Sequence, residues 1–282
     1  MKKKNNFNFF NWLILLGSTL IVCLLLGVIL WDIFSKGFPA LSIEFIYKYP
    51  SDGMTKGGIL PAIVGTVLLT FITTLFAVPF GVACAVYLNE YAKPSPLTNT
   101  IRASIRNLAG IPSIIYGLFG LALFVQALNF GTSILSAGLT LGLLSLPYII
   151  TTTEEALKRI PNSMREATLA LGATQFETIK DIVLPKALPG ILTGVILTLS
   201  RAAGETALIL FTGVAFYING ISTSINQEFM ALPYHLYMLS TQHNAIEQVR
   251  PLAYATAVVL IVLVFLLNVV AFVIRFKHRT QD

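Results

Sequence analysis

The sequence predicts an all-α, polytopic membrane protein with six transmembrane helices, and three observations predict it. Hydrophobic residues make up 55% of the 282 positions, 11% are charged and the mean hydropathy is +0.78, a balance far more apolar than that of a soluble globular domain. Six apolar runs, at residues 12–34, 58–90, 108–128, 134–152, 187–217 and 252–274, are long enough to cross a hydrocarbon core about 30 Å thick. With six spans assumed, most of the 19 Lys and Arg residues fall on one side of the membrane. Lys2 to Lys4, Lys93, Arg102, Arg106, Lys158, Arg159, Arg165, Lys180, Lys186, Arg275, Lys277 and Arg279 share that side, and only Lys36, Lys48, Lys56 and Arg250 lie opposite. The positive-inside rule then places both termini and the loop near Glu166 in the cytoplasm. The net charge of +6 is a topology signal and does not point to nucleic acid, because the basic residues are scattered over four segments instead of gathered on one folded surface.

The first run follows a basic stretch, Lys2 to Lys4, as a signal peptide would. It is longer than a usual signal-peptide core, and Ser35-Lys36-Gly37-Phe38-Pro39 offers no small-x-small cleavage site, so it reads as a retained anchor. Pro79-Phe80-Gly81 interrupts the overlong second run, and Gly190, Gly194 and Gly204 punctuate the overlong fifth. Both are expected to tilt, kink or break. Asn89-Glu90-Tyr91 at the inner end of the second run either caps that helix or touches the cytoplasmic loop. Cys23 and Cys84 fall inside spans and read as small packing residues. His235 and His243 have no clustered Cys or carboxylate and are assigned no ligand. Phe229 to Tyr234 is expected on the outer leaflet, as an anchor or as a contact for an extracytoplasmic protein.

Between the fourth and fifth runs lies a polar helical segment. Ser163 with Glu166, and Thr174 with Glu177, have the spacing of capping boxes, which satisfy orphan amides at a helix start. Gly172 falls between the two predicted helices, where a left-handed residue is needed and a Cβ is costly. The result is a bent pair with two apolar stripes, Met164, Ala167 and Leu171 on one helix and Phe176, Ile179 and Val183 on the other. Stripes of this kind ask for a partner.

Arg201 is the charge that hydrocarbon should not tolerate. It lies about 22 Å along the fifth run from Lys186, and a central Arg costs about 2.5–3.5 kcal/mol even on a lenient insertion scale. It is therefore expected to face protein or a water-filled path. Glu205, four residues on, is expected to share its helix face, pair with it and exchange it with a passing anion. A planar guanidinium donates two parallel hydrogen bonds and suits a tetrahedral oxyanion.

The loop resembles the EAA signature of ABC importer permeases, here Glu166-Ala167-Thr168, Gly172 and Ile182-x-Leu184-Pro185, with Thr168 in place of the second Ala. Four further stretches resemble the phosphate permeases of the PstA type: residues 57–66, Tyr87-Leu88-Asn89-Glu90-Tyr91, residues 108–117, and Arg201-Ala202-Ala203-Gly204-Glu205-Thr206-Ala207. The resemblance covers residues from about 57 to the end. It implies the architecture of type I ABC importer permeases (MetI-like). On that reading residues 1–57 hold an N-terminal membrane helix and an extracytoplasmic loop, and residues 58–282 the permease domain with its coupling loop at about 160–185. It implies that Glu166, Ala167, Gly172, Ile182, Leu184 and Pro185 dock an ATPase, and that Arg201, Glu205 and Thr206 line the substrate path. It also implies four partners besides membrane lipid: a second permease of the PstC type, two ATPase subunits of the PstB type and an extracytoplasmic phosphate-binding protein of the PstS type. No Gly-x4-Gly-Lys-Ser/Thr occurs in the chain, so no cofactor is expected here and ATP-Mg belongs to the partner ATPases. The expected function is that of a non-catalytic subunit in the bacterial plasma membrane, importing inorganic phosphate by alternating access. The same machinery would also serve sulfate, molybdate or phosphonate. The rival class is an ATP-independent anion channel or secondary transporter, for which no inverted repeat is found.

Overall fold

The computed structural model describes residues 2–277 apart from positions 219 and 223. Arg279 of the basic C-terminal segment lies outside the described residues. Helix α1 (Lys2–Gly37) carries the first apolar run. A short helix, α2 (Ile43–Tyr47), starts at Ser42, whose Oγ accepts from the Phe45 amide at 3.1 Å. A small antiparallel ribbon, β1 (Pro50–Ser51) with β2 (Lys56–Gly57), leads into α3 (Leu60–Val86). Pro79 does not break α3, which continues into a π-helical turn over Tyr87–Tyr91.

The third apolar run is the first departure. α4 (Pro96–Leu108), amphipathic and capped by Ser95, meets α5 (Ser113–Gly120) and its π-helical extension Leu121–Ala127 at a bend of 102°. Pro112 accounts for the bend, because the residue before a proline is driven out of the helical region. α6 (Ile134–Lys158) follows, then α7 (Asn162–Ala170) and α8 (Gln175–Thr178). A π-helical turn over Ile179–Val183 joins α8 to α9 (Leu184–Ala202). The chain then runs through α10 (Ile209–Thr212) and α11 (Leu232–Thr241) to α12 (Ile246–Lys277). Among the described residues five helices are long and apolar enough to cross a membrane, or six if the bent α4–α5 pair is one span.

α6 is the axis of the bundle: 67% of its apolar stretch is buried, against 28% for α3 and 0% for α1. Small residues let its neighbours approach closely, as membrane helices require when lipid is as apolar as leucine. Gly138 and Gly142 receive Ile72 and Phe76 of α3. Gly190 and Gly194 of α9 lie against Ala156 and Thr152 of α6, where a Cβ on Gly194 would stand 2.2 Å from Thr152 Oγ1. Two of the three glycines that punctuate the fifth run are thus crossing points of helices. α1 joins the bundle near its end. There Tyr254 Oη of α12 donates to Asp32 Oδ2 at 3.1 Å, and Lys36 pairs with Asp32.

The overlong fifth run breaks, as expected: its helix ends at Ala202, two residues before Gly204. One further expectation is corrected. Phe229, Met230, Ala231 and Leu232 are buried instead of lying on an outer leaflet. The Leu232 amide donates to Thr66 Oγ1 at 2.8 Å and the Ala215 amide to the Phe229 carbonyl at 2.8 Å. Non-helical backbone is tolerated among membrane helices when its polar groups are paired in this way inside protein.

Candidate translocation pathway and coupling loop

Arg201 sits in the last turn of α9, exposed, between a helix that stops one residue later and the turn Ala203–Thr206. Its guanidinium carbon lies 4.7 Å from the ring centroid of Tyr148, in range for a cation–π contact. Tyr148 is ten residues from Lys158 and fourteen from Ile134 on α6, or about 15 Å and about 21 Å from the ends. Arg201 therefore stands level with the middle of the central helix, at the end of an interrupted one. Tyr148 Oη donates to the Ala109 carbonyl at 2.8 Å, and Tyr116 Oη to that of Leu108 at 3.0 Å. Both hydroxyls hold the bend between α4 and α5. The expected Arg201–Glu205 pair is not formed among the described residues. Because the helix ends at Ala202, Glu205 no longer falls one turn above Arg201. Glu205 and Thr206 are half-buried in the turn.

The candidate coupling loop is bent at Gly172, whose φ of +91° is left-handed and whose missing Cβ would meet nothing within 4 Å. The bend is thus a demand of backbone conformation and not of space. The Thr174 box is complete: Glu177 Oε2 accepts from the Thr174 amide at 2.7 Å and Thr174 Oγ1 accepts from the Glu177 amide at 3.3 Å. These hydrogen bonds hold the Glu177 carboxyl below the usual carboxylate range. The box predicted at Ser163 does not form. Pro161 stands at the N-cap, which puts Ser163 inside the first turn.

Glu166, Ala167 and Pro185 are exposed and Ile182 and Leu184 half-buried. The two stripes fare differently. Leu171 and Phe176, at 89% and 64% exposed, crown the elbow. Ile179 and Val183 are buried inside the chain, Val183 in a cluster with Ala77, Ile149 and Leu157. Thr168, in place of the second Ala, donates its hydroxyl to the Met164 carbonyl within its own helix at 2.8 Å.

Behind the elbow, Arg165 is half-buried against the ends of two spans. Its Nε donates to Glu90 Oε2 at 3.0 Å and its Nη2 to Glu90 Oε1 at 2.8 Å. The same guanidinium donates to the carbonyls of Leu157 at 3.0 Å and Ile160 at 2.7 Å. Nearby, Arg102 of α4 pairs with Glu154 of α6 at 3.1 Å, and Lys158 reaches the other oxygen of Glu154 at 3.4 Å. Among the described residues no group of three or more His, Cys, Asp or Glu could hold a metal ion.

The family model described as binding-protein-dependent transport system inner membrane component matches residues 77–279. The chain belongs to this permease family. The permease is similar to the phosphate transport system permease protein PstA of Pasteurella multocida, 36% identical over 244 residues that cover 86% of this chain and 85% of that protein. It is also similar to PstA 1 of Mycobacterium tuberculosis (32% over 255 residues, 88% and 80%) and to the probable ABC transporter permease protein YqgI of Bacillus subtilis (36% over 197 residues, 70% and 67%). Two solved structures share its fold. One is the inward-facing MetNI methionine ABC transporter, with TM-score 0.64 and 21% identity over 79% of this chain and 96% of that one. The other is a bacterial alginate ABC transporter bound to a pentasaccharide-loaded periplasmic protein, with TM-score 0.64 and 15% identity over 94% and 97%.

The permease uses two residues in ways the sequence reading did not assign. Tyr148 carries no local signal, since a tyrosine in an apolar run reads as packing. Glu90 was legible as a charge at a span end, with contact to the loop as one of two alternatives. Contact is the one realised: Glu90 receives Arg165, and its own carbonyl accepts from Gln175 Nε2 at 2.7 Å.

Proposed function

We propose that this permease is a transmembrane subunit of an ATP-driven importer of inorganic phosphate. The observation that carries the reading is Arg201, a permanent cation at an interrupted helix level with the middle of α6, in the Arg-Ala-x-Gly-Glu-Thr-Ala sequence. Interrupted helices at mid-membrane are where transporters place ion sites. A guanidinium there lowers the cost of bringing in an anion, and a weak site serves passage better than a tight one. Arg201, Glu205 and Thr206 contribute to the path. Glu166, Ala167, Gly172, Ile182, Leu184 and Pro185 form the face that a separate ATPase moves.

The partners on this reading are a PstC-type permease, two PstB-type ATPases that hold ATP-Mg, and a PstS-type phosphate-binding protein. Residues 58–282 form the permease domain, and both termini lie in the cytoplasm of a bacterial plasma membrane. The relatives named for phosphate transport support phosphate over sulfate, molybdate or phosphonate as the cargo.

The test is ATP-dependent phosphate uptake into vesicles that hold the full complex. Wild type is expected to take up phosphate with little competition from sulfate, and Arg201→Ala to lose uptake while the ATPase stays bound. Gly172→Pro is expected to lose the ATPase on co-purification. Uptake unaffected by Arg201→Ala removes that residue from the path, and uptake without ATPase subunits overturns the importer reading.

A further inference from the structure

We propose that Glu90 is a positioning residue that, with Arg165, forms a second joint through which movement of the coupling loop reaches α3. The inference rests on the importer reading above. One route from the loop into the membrane is covalent, because α8 runs through the π-helical turn Ile179–Val183 into α9 and makes one stretch from Gln175 to Ala202. That route meets α3 through apolar packing, as where Val183 clusters with Ala77.

The joint reaches its end through an ion pair. Glu90 lies in the π-helical turn at the end of α3, and its side chain is 7% exposed. A π-helical turn carries one extra residue, which changes the direction in which the following side chains point, and such turns recur at functional sites. Both Glu90 oxygens are occupied by the Arg165 fork, and Oε1 also accepts from Asn89 Nδ2 at 2.7 Å. The Arg165 side chain is 16% exposed. Its remaining donors go to Leu157 and Ile160 at the end of α6 and to Asn162 Oδ1 at 3.4 Å. One guanidinium thus ties the ends of α3 and α6 to the first loop helix.

Gln175, at the start of the second loop helix, holds the Glu90 carbonyl. Glu90 is gripped through its side chain by α7 and through its backbone by α8, on either side of the Gly172 elbow. A bidentate Arg–carboxylate pair at this degree of burial has a defined orientation. Displacement of the elbow therefore has to be followed by the end of α3 or has to break the pair. A merely structural pair would be needed for assembly but would leave the yield of transport per ATP unchanged.

The experiment uses the reconstituted full complex and measures phosphate uptake and ATP hydrolysis in the same vesicles. Glu90→Gln keeps the shape and one acceptor while removing the charge, and Glu90→Asp restores the charge on a shorter stem. Glu90→Gln is expected to assemble with its ATPase and hydrolyse ATP, with uptake per ATP reduced about tenfold, a typical coupling between distant sites. Glu90→Asp is expected to fall between Gln and wild type. Wild-type uptake per ATP in Glu90→Gln overturns the joint, as does a Glu90→Gln chain that no longer assembles. A wild-type complex that hydrolyses ATP without moving phosphate overturns the importer reading itself, and this inference with it.

Discussion

The guanidinium of Arg201 rests over the ring of Tyr148, 4.7 Å from its centroid, and the hydroxyl of that same tyrosine holds the carbonyl of Ala109 at the bend of the third crossing. Three elements therefore meet at one side chain: the interrupted end of α9, the middle of α6 and the turn between α4 and α5. An aromatic face offers a cation a resting contact that an arriving oxyanion can displace, because it forms no strong directional hydrogen bond.

Replacing Tyr148 separates its two roles. Tyr148→Phe keeps the π face and loses the bond to Ala109, and uptake is expected to stay within a few-fold of wild type. Tyr148→Leu removes the face. A cation–π contact of about 0.5–2 kcal/mol corresponds to a loss of roughly two- to thirty-fold in the initial rate of phosphate uptake. Equal rates in Tyr148→Leu and wild type mean that the ring does not position Arg201.

Gly194 is a point of close approach between α9 and α6. An added Cβ would lie 2.2 Å from Thr152 Oγ1 and 2.5 Å from Thr152 Cβ, closer than atoms pack. Gly194→Ala is expected to cost about 1–3 kcal/mol by overpacking, read as a lower melting temperature of the detergent-solubilised chain. A melting temperature at or above that of wild type shows that the two helices are not held at this distance.

His235 titrates against its surroundings. Burial, with a smaller effect of His243, pushes the imidazole down to about 4, and its Nδ1 has no hydrogen-bond partner among the described residues. Above the unfolded value, near 6.5, both states are neutral and the native state bears no penalty. As the pH falls from about 6.5 toward 4 the unfolded chain gains a proton that the native chain refuses, so stability drops by up to about 3 kcal/mol. Thermal unfolding followed between pH 7 and pH 4 should show this slope in wild type and a shallower one in His235→Leu. Parallel profiles assign the acid sensitivity to other groups.

Much of the architecture needed only local information. Hydrophobic run length and the placement of basic residues predict the crossings, and Gly172, with its left-handed φ of +91°, is a demand that the backbone makes at one position. The Thr174 capping box forms because both its partners lie within one turn. Readings that depended on where a helix stops came out differently. Gly204 marked the run 187–217 for a kink or break, but not the residue at which helical geometry ends; it ends at Ala202, and with that the pairing of Arg201 with Glu205 is lost. Pro79 and the glycines at 190 and 194 looked like interruptions. Whether such a residue breaks a helix or seats a neighbour is decided by what stands opposite, here Thr152 and Ala156 for the two glycines.

The sequence by itself determined the apolar spans, the bend at Gly172 and the presence of one cation in a stretch that should have none, because each follows from the solvation or dihedral preference of residues close in the chain. Tertiary structure alone decided which groups meet. Tyr148 reaches Arg201 across 53 positions, and Glu90 reaches Arg165 across 75. Contacts at that separation are set by how α3, α6 and α9 pack on one another, and no local pattern of residues encodes that packing.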